Sequence, residues 1–187
     1  MARRVLVSLG ATAALLVLAG AAASTKQGSG TAVDRGRYLV TAMGCNDCHT
    51  PWKMGANGPE PDMSRLLSGH PQDLHLESPP VMPPASGWAV AGSATMTAWA
   101  GPWGISYAAN LTPDEETGVG AWTPEVFVKA MRTGKMMGAG RPILPPMPWP
   151  WTGKLSDDDL RAIFAYLQSI PPIHNQVPEP TPPKVKP

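Results

Sequence analysis

The sequence predicts an all-α chain wound with long irregular loops, on three observations. Three segments carry helical start and stop signals with apolar residues at helical spacing. Nowhere does a strand-rich pattern develop. Twenty-three prolines and 19 glycines, against two phenylalanines, allow only a modest helical core between stretches of turn and loop.

The chain opens with Arg3 and Arg4 ahead of an uncharged apolar run from Val5 to Ala23, and Ala21-Ala22-Ala23 supplies small residues before Ser24. That is the pattern of a secretory signal peptide, so residues 1–23 are expected to be removed on export. An uncleaved anchor is the alternative, because the run approaches a spanning length; against it stand its alanine richness and the lack of a lipid-acceptor cysteine. Residues 24–32 are expected to form a flexible lead-in.

The first helix is expected from about Asp34 to Met43, with Asp34 as N-cap and Tyr38, Leu39, Ala42 and Met43 along one apolar side. Gly44 ends it, and the chain passes at once into Cys45-Asn46-Asp47-Cys48-His49. Two thiols at this spacing, followed directly by a histidine, read as a c-type haem attachment site. Cys45 and Cys48 add across two vinyl groups of one porphyrin, and His49 ligates the iron. A redox dithiol, half a zinc site or a short-loop disulfide uses the same cysteines but leaves His49 unexplained. A zinc site would also need two more ligands, and the chain offers no other cysteine and only His70, His75 and His174 at irregular spacing. No second Cys-x-x-Cys-His occurs, so one haem c is expected.

Residues 51–111, rich in Pro, Gly, Ser and Trp, are too long for an ordinary connection. They are expected to be a loop insertion that wraps the haem, or a partly extended excursion with a short hairpin. The second helix begins at Thr123 as N-cap with Pro124 in the first turn, turns Val126, Phe127, Ala130 and Met131 inward, and stops at Gly134. The third has Ser156 as cap, Asp157, Asp158 and Asp159 against the positive end of the helix dipole, and Leu160, Ile163, Phe164 and Leu167 at helical spacing before Pro171-Pro172. Residues 173–187 are a proline-rich tail, leaving 33–172 as one monohaem domain. Without residues 1–23 the chain carries 13 basic against 14 acidic residues, a balance that suggests neither nucleic acid nor an anionic membrane surface as partner.

The order of helix, Cys-x-x-Cys-His, long loop, middle helix, proline-flanked Met and Asp-capped final helix resembles the class I cytochrome c fold. More narrowly, three stretches resemble the cytochrome c subunits and domains associated with bacterial membrane-bound alcohol, aldehyde and gluconate dehydrogenases. They are Arg35-Gly36-Arg37-Tyr38-Leu39-Val40, Asn110-Leu111-Thr112-Pro113 with Gly118-Val119-Gly120-Ala121-Trp122-Thr123, and Met147-Pro148-Trp149 before Leu155-Ser156-Asp157-Asp158-Asp159-Leu160. The similarity covers roughly 33–172; those relatives often carry three haem domains, this chain one.

The resemblance implies three helices around the haem and a methionine as second axial ligand, which would raise the potential relative to a second histidine. Met147, held between prolines after Gly138-Ala139-Gly140, is the candidate. Met136 and Met137 come next, then His70 or His75, with Met82 and Met96 also in reach. Trp103, Trp122 and Trp149 are candidates for haem packing or propionate hydrogen bonding, although ordinary core packing is the more usual role for such residues. Arg141 is a candidate to neutralise a propionate.

With both axial positions filled, such a site exchanges single electrons and binds no substrate at iron. The expected role is therefore a non-enzymatic electron carrier in the periplasm, soluble or loosely membrane-associated. It would work between a dehydrogenase or quinol-oxidising complex and a terminal oxidase. The alternative is a haem with an exchangeable sixth position, acting as a peroxidase or gas sensor.

Overall fold

The computed structural model describes residues 31–76, 78 and 87–183. The expected leader at 1–23 and most of the lead-in lie outside them. Helix α1 spans Ala32–Ala42, and Thr31 is its N-cap rather than Asp34. The Thr31 hydroxyl accepts from the Asp34 amide while the Asp34 carboxylate accepts from Thr31, a reciprocal capping box that places Asp34 in the third helical position. Gly36, Leu39 and Val40 are buried; Tyr38 faces outward beneath the Arg35 guanidinium.

Gly44, at φ +66°, turns the chain into a one-turn helix, α2, Cys45–His49. Helix α3 is Pro124–Thr133, capped by Thr123 and stopped at Gly134. A short helix, α4, Trp149–Thr152, leads on to α5, Asp157–Leu167, capped by Ser156. Helices α3 and α5 match the bounds expected from sequence, except that α5 ends three residues before the prolines. The core forms where α1, α3 and α5 meet: Leu39, Val40, Phe127, Ala130, Met131, Leu160, Ile163, Phe164 and Leu167. Phe127 and Phe164 stack at 5.5 Å between ring centroids.

The all-α, class I cytochrome c expectation is overturned by two antiparallel sheets. Five helices and five strands among the described residues make a mixed α and β fold. Strands β1 (Trp52–Gly55) and β2 (Gly58–Pro61) form a hairpin; β3 (Ala91–Gly92), β4 (Ala98–Gly101) and β5 (Gly104–Tyr107) form a sheet in that order. Two-residue loops close the β1–β2 and β4–β5 hairpins, and a glycine at positive φ follows each loop: Gly58 at +119° and Gly104 at +94°. Strands of two to four residues are too short for alternation to register as a pattern. Ala98, Ala100 and Ile105 bury against Leu76 and Tyr107 as a second, smaller core.

The proline-rich tail lies along the domain as far as residue 183. Asn175 is fully buried, its amide nitrogen donating to the carbonyls of Ser68 and His70 at 2.7 and 2.8 Å. Thr181 pairs with Ile105 through backbone bonds of 2.8 and 3.0 Å, covering the free edge of β5. Among the described residues no helix is long and apolar enough to cross a membrane.

Candidate functional site

On a helix, residues three and four apart share a face, and α2 thereby turns Cys45, Cys48 and His49 together into one cavity of about 490 Å³. His49 is buried and fixed from two sides. Its carbonyl accepts from the Gly69 amide at 2.8 Å, and its Nδ1 lies 2.8 Å from the Ala109 carbonyl oxygen. A carbonyl only accepts, so Nδ1 carries the proton and Nε2 keeps its lone pair. Burial holds the imidazole below its usual pKa, outweighing the Ala109 hydrogen bond, and so keeps it neutral. Burial likewise pushes the Cys45 thiol up to about 11 and raises Cys48; the two are not joined in a disulfide.

A second part of the wall comes from the loop between α3 and α4. Met136 and Arg141 pair through the backbone, Ile143 donates to the Gly134 carbonyl, and the chain then presents Leu144, Pro146, Met147 and Pro148 to the cavity. Val40, Leu111, Val119, Phe127, Met131, Ile163 and Leu167 line the remainder of the helical side. The third wall comes from the 51–111 segment, which was expected to wrap the haem though without these residues being singled out, and from the tail. Trp99 of β4, Ser106 and Tyr107 of β5, and Ala108, Ala109 and Asn110 beyond them all line the cavity, as do residues 176–180 of the tail.

The residues present fit a haem c. The volume falls in the range of cofactor sites, about 300–1,000 Å³. The wall is chiefly apolar, two thiols stand three residues apart, and a neutral imidazole with a free Nε2 and the Met147 side chain line the same cavity.

Of the residues singled out by sequence, Cys45, Cys48, His49, Met147, Trp122 and Arg141 line this cavity, and Trp103 does not. The Trp103 indole N–H donates to the Ser106 hydroxyl at 3.3 Å, one layer behind the wall. Arg141 is in the wall but paired to Glu179 of the tail at 3.2 Å. Trp149 stacks on Gly134, where an added Cβ would meet its ring at 2.4 Å. Among the alternative ligands, Met136 lines the cavity, while Met137, Met96, His70 and His75 do not. His70 is fully buried with both ring nitrogens occupied, by Thr97 at 2.9 Å and the Leu74 carbonyl at 3.0 Å. Met82 lies outside the described residues.

No protein-family model matches the chain. Its similarity to curated proteins is extensive along its own length. It is 31% identical over 150 residues, 80% of the chain, to a nicotinate dehydrogenase subunit of Pseudomonas putida. To the cytochrome c subunit of a quinone alcohol dehydrogenase from Gluconobacter oxydans it is 29% identical over 91% of the chain. To the gluconate 2-dehydrogenase cytochrome c subunit of Pantoea cypripedii it is 29% identical over 82% of the chain. The chain spans 10%, 29% and 26% of the length of these three relatives, respectively. The resemblance to dehydrogenase-associated cytochrome c subunits drawn from the sequence is matched.

Proposed function

From this similarity to cytochrome c subunits, we propose that the chain is a monohaem electron carrier in which Cys45 and Cys48 hold haem c and His49 and Met147 are its axial ligands. The observation that carries the reading is the convergence of an attachment turn, a neutral imidazole and a proline-held methionine on one apolar cavity. Haem c, when bound, supplies a one-electron couple.

The chain's own residues do the rest. Ala109 fixes the His49 tautomer and ring orientation, as partners behind a metal ligand commonly do. Gly69, at φ +78°, brings its backbone so close to Ala108 and Ala109 that an added Cβ would stand 2.5 Å from the Ala108 carbonyl oxygen. That close approach sets the Ala109 acceptor beside the imidazole. Val119, Phe127, Ile163 and Leu167 keep water from the helical side of the cavity.

The relatives' names support a dehydrogenase as electron donor; in this proposal a terminal acceptor takes the electron downstream. Export of the chain by residues 1–23 would put it in the periplasm. The test is one absorption spectrum of the reduced, exported protein with and without carbon monoxide, alongside its mass. One covalently added porphyrin and a low-spin spectrum indifferent to carbon monoxide are expected. A mass without porphyrin ends the haem reading; rapid carbon monoxide binding ends the His/Met assignment.

A further inference from the structure

We infer that Ser106 is the positioning residue for Met147, acting through the Pro145 carbonyl, an inference that rests on Met147 being the second axial ligand. The segment 144–148 contains Pro145, Pro146 and Pro148, none of which has a backbone N–H to give. Such a segment is anchored to the rest of the protein chiefly through its carbonyls. Ser106, buried on β5, donates its hydroxyl proton to the Pro145 oxygen at 2.5 Å. Among the described hydrogen bonds of residues 144–147, this is the one that reaches a distant element; the Met147 amide itself bonds locally, to Leu144 at 3.3 Å.

A hydroxyl has one proton and can lose it to a competing acceptor. The Trp99 carbonyl is such a competitor but stands at 3.4 Å, well beyond the Pro145 contact. The Trp103 indole N–H donates into the hydroxyl's lone pair at 3.3 Å. That donation leaves the proton free for Pro145 and favours the chain Trp103 to Ser106 to Pro145. Trp103 is held in place by its own turn, its ring lying over Gly101 so closely that a Cβ there would meet it at 2.5 Å. A strand outside the helical core thus holds the loop that carries the methionine. Buried hydrogen bonds of this kind contribute about 1 kcal/mol net, and a tenfold change in an equilibrium corresponds to about 1.4 kcal/mol. Losing the contact should therefore favour the Met-off state by roughly five- to tenfold.

The experiment measures imidazole affinity of the oxidised haem-loaded protein for wild type, Ser106→Ala, Ser106→Thr and Trp103→Phe, with Met147→Ala as reference. Imidazole competes for the position that a detached methionine leaves. Ser106→Ala should bind imidazole roughly five- to tenfold more tightly than wild type. Ser106→Thr keeps the hydroxyl and should stay at the wild-type value. Trp103→Phe keeps the ring, loses the donor and should rise less than Ser106→Ala; it carries the test if Ser106→Ala does not accumulate. Equal affinities across wild type, Ser106→Ala and Trp103→Phe, or equal increases in Ser106→Ala and Ser106→Thr, overturn the inference. If Met147→Ala itself leaves imidazole affinity unchanged, or no porphyrin is attached, the ligand assignment has failed first.

Discussion

His49 and His70 show how the same side chain is put to different uses by its surroundings. His49 has one ring nitrogen satisfied by Ala109 and the other facing a cavity; His70 has both nitrogens bonded within the fold. Burial lowers the pKa of His70, with Arg65 and His75 acting in the same direction and the Leu74 carbonyl opposing. A histidine kept neutral on folding contributes stability that is complete above its unfolded pKa of about 6.5 and is lost as pH falls toward the folded value. Unfolding midpoints in urea should therefore drop between pH 7 and pH 5, and His70→Gln should make that slope shallower. An unchanged slope would show that other groups govern it. For the proposed ligand pair, Met147→His should retain the porphyrin and lower the reduction potential, because a thioether favours the reduced iron more than an imidazole does; potentiometric titration reads this directly. Cys45, Cys48, His49 and Met147, which the structure brings to one cavity, were singled out because each stands in a short contiguous motif. Ser106, Tyr107, Ala109 and residues 176–180 were not, since only long-range pairing brings them to the cavity.

Among the elements, α1 and α5 make the closest contact of the helical core. A Cβ on Gly36 would stand 1.9 Å from the Ala162 carbonyl oxygen and 2.8 Å from the Tyr166 Cβ, so the two helices cross backbone to backbone there. Gly36→Ala must push the crossing apart and should cost at least about 2 kcal/mol in urea unfolding. Ser156→Ala removes the hydroxyl that caps the Asp159 amide and should cost about 1 kcal/mol; the ranking, not either value alone, is the check. Helices α3 and α5 were readable because cap, dipole charge and apolar spacing agree over ten residues or more. In α1 the cap was misplaced by three residues because a capping box sets an acid and a threonine at both ends of the same reciprocal contact. The sheets had a weaker signal, read from sequence only as a short hairpin somewhere within residues 51–111. Pro102 and Gly104 occupy the first central and last positions of a tight turn, as turn chemistry favours, and Gly58 follows Asn57 at the other hairpin.

For the molecule as a whole, charge decides how it meets a partner. Net charge lies near zero, and much of the surface charge is paired locally: Arg35 with Asp159, Arg132 with Asp157, Arg161 with Glu125, and Lys53 with Asp62. Exposed pairs of this kind contribute little to stability, but they cancel each other's field at a distance. The cavity wall repeats the arrangement, with its arginine, Arg141, bound to Glu179 and the acid Asp47 also in the wall. Pairs so balanced leave little net field among the described residues to steer an oppositely charged protein from beyond the Debye length, about 8–10 Å at physiological salt. Encounter should then depend on short-range fit. Electrostatically steered pairs gain roughly ten- to a thousandfold in rate at low salt. Stopped-flow measurement of electron transfer with the proposed dehydrogenase donor, between about 10 and 200 mM salt, should vary by less than about threefold. A decline of about tenfold or more would mean that the partner reads a charged face which these local pairs do not neutralise.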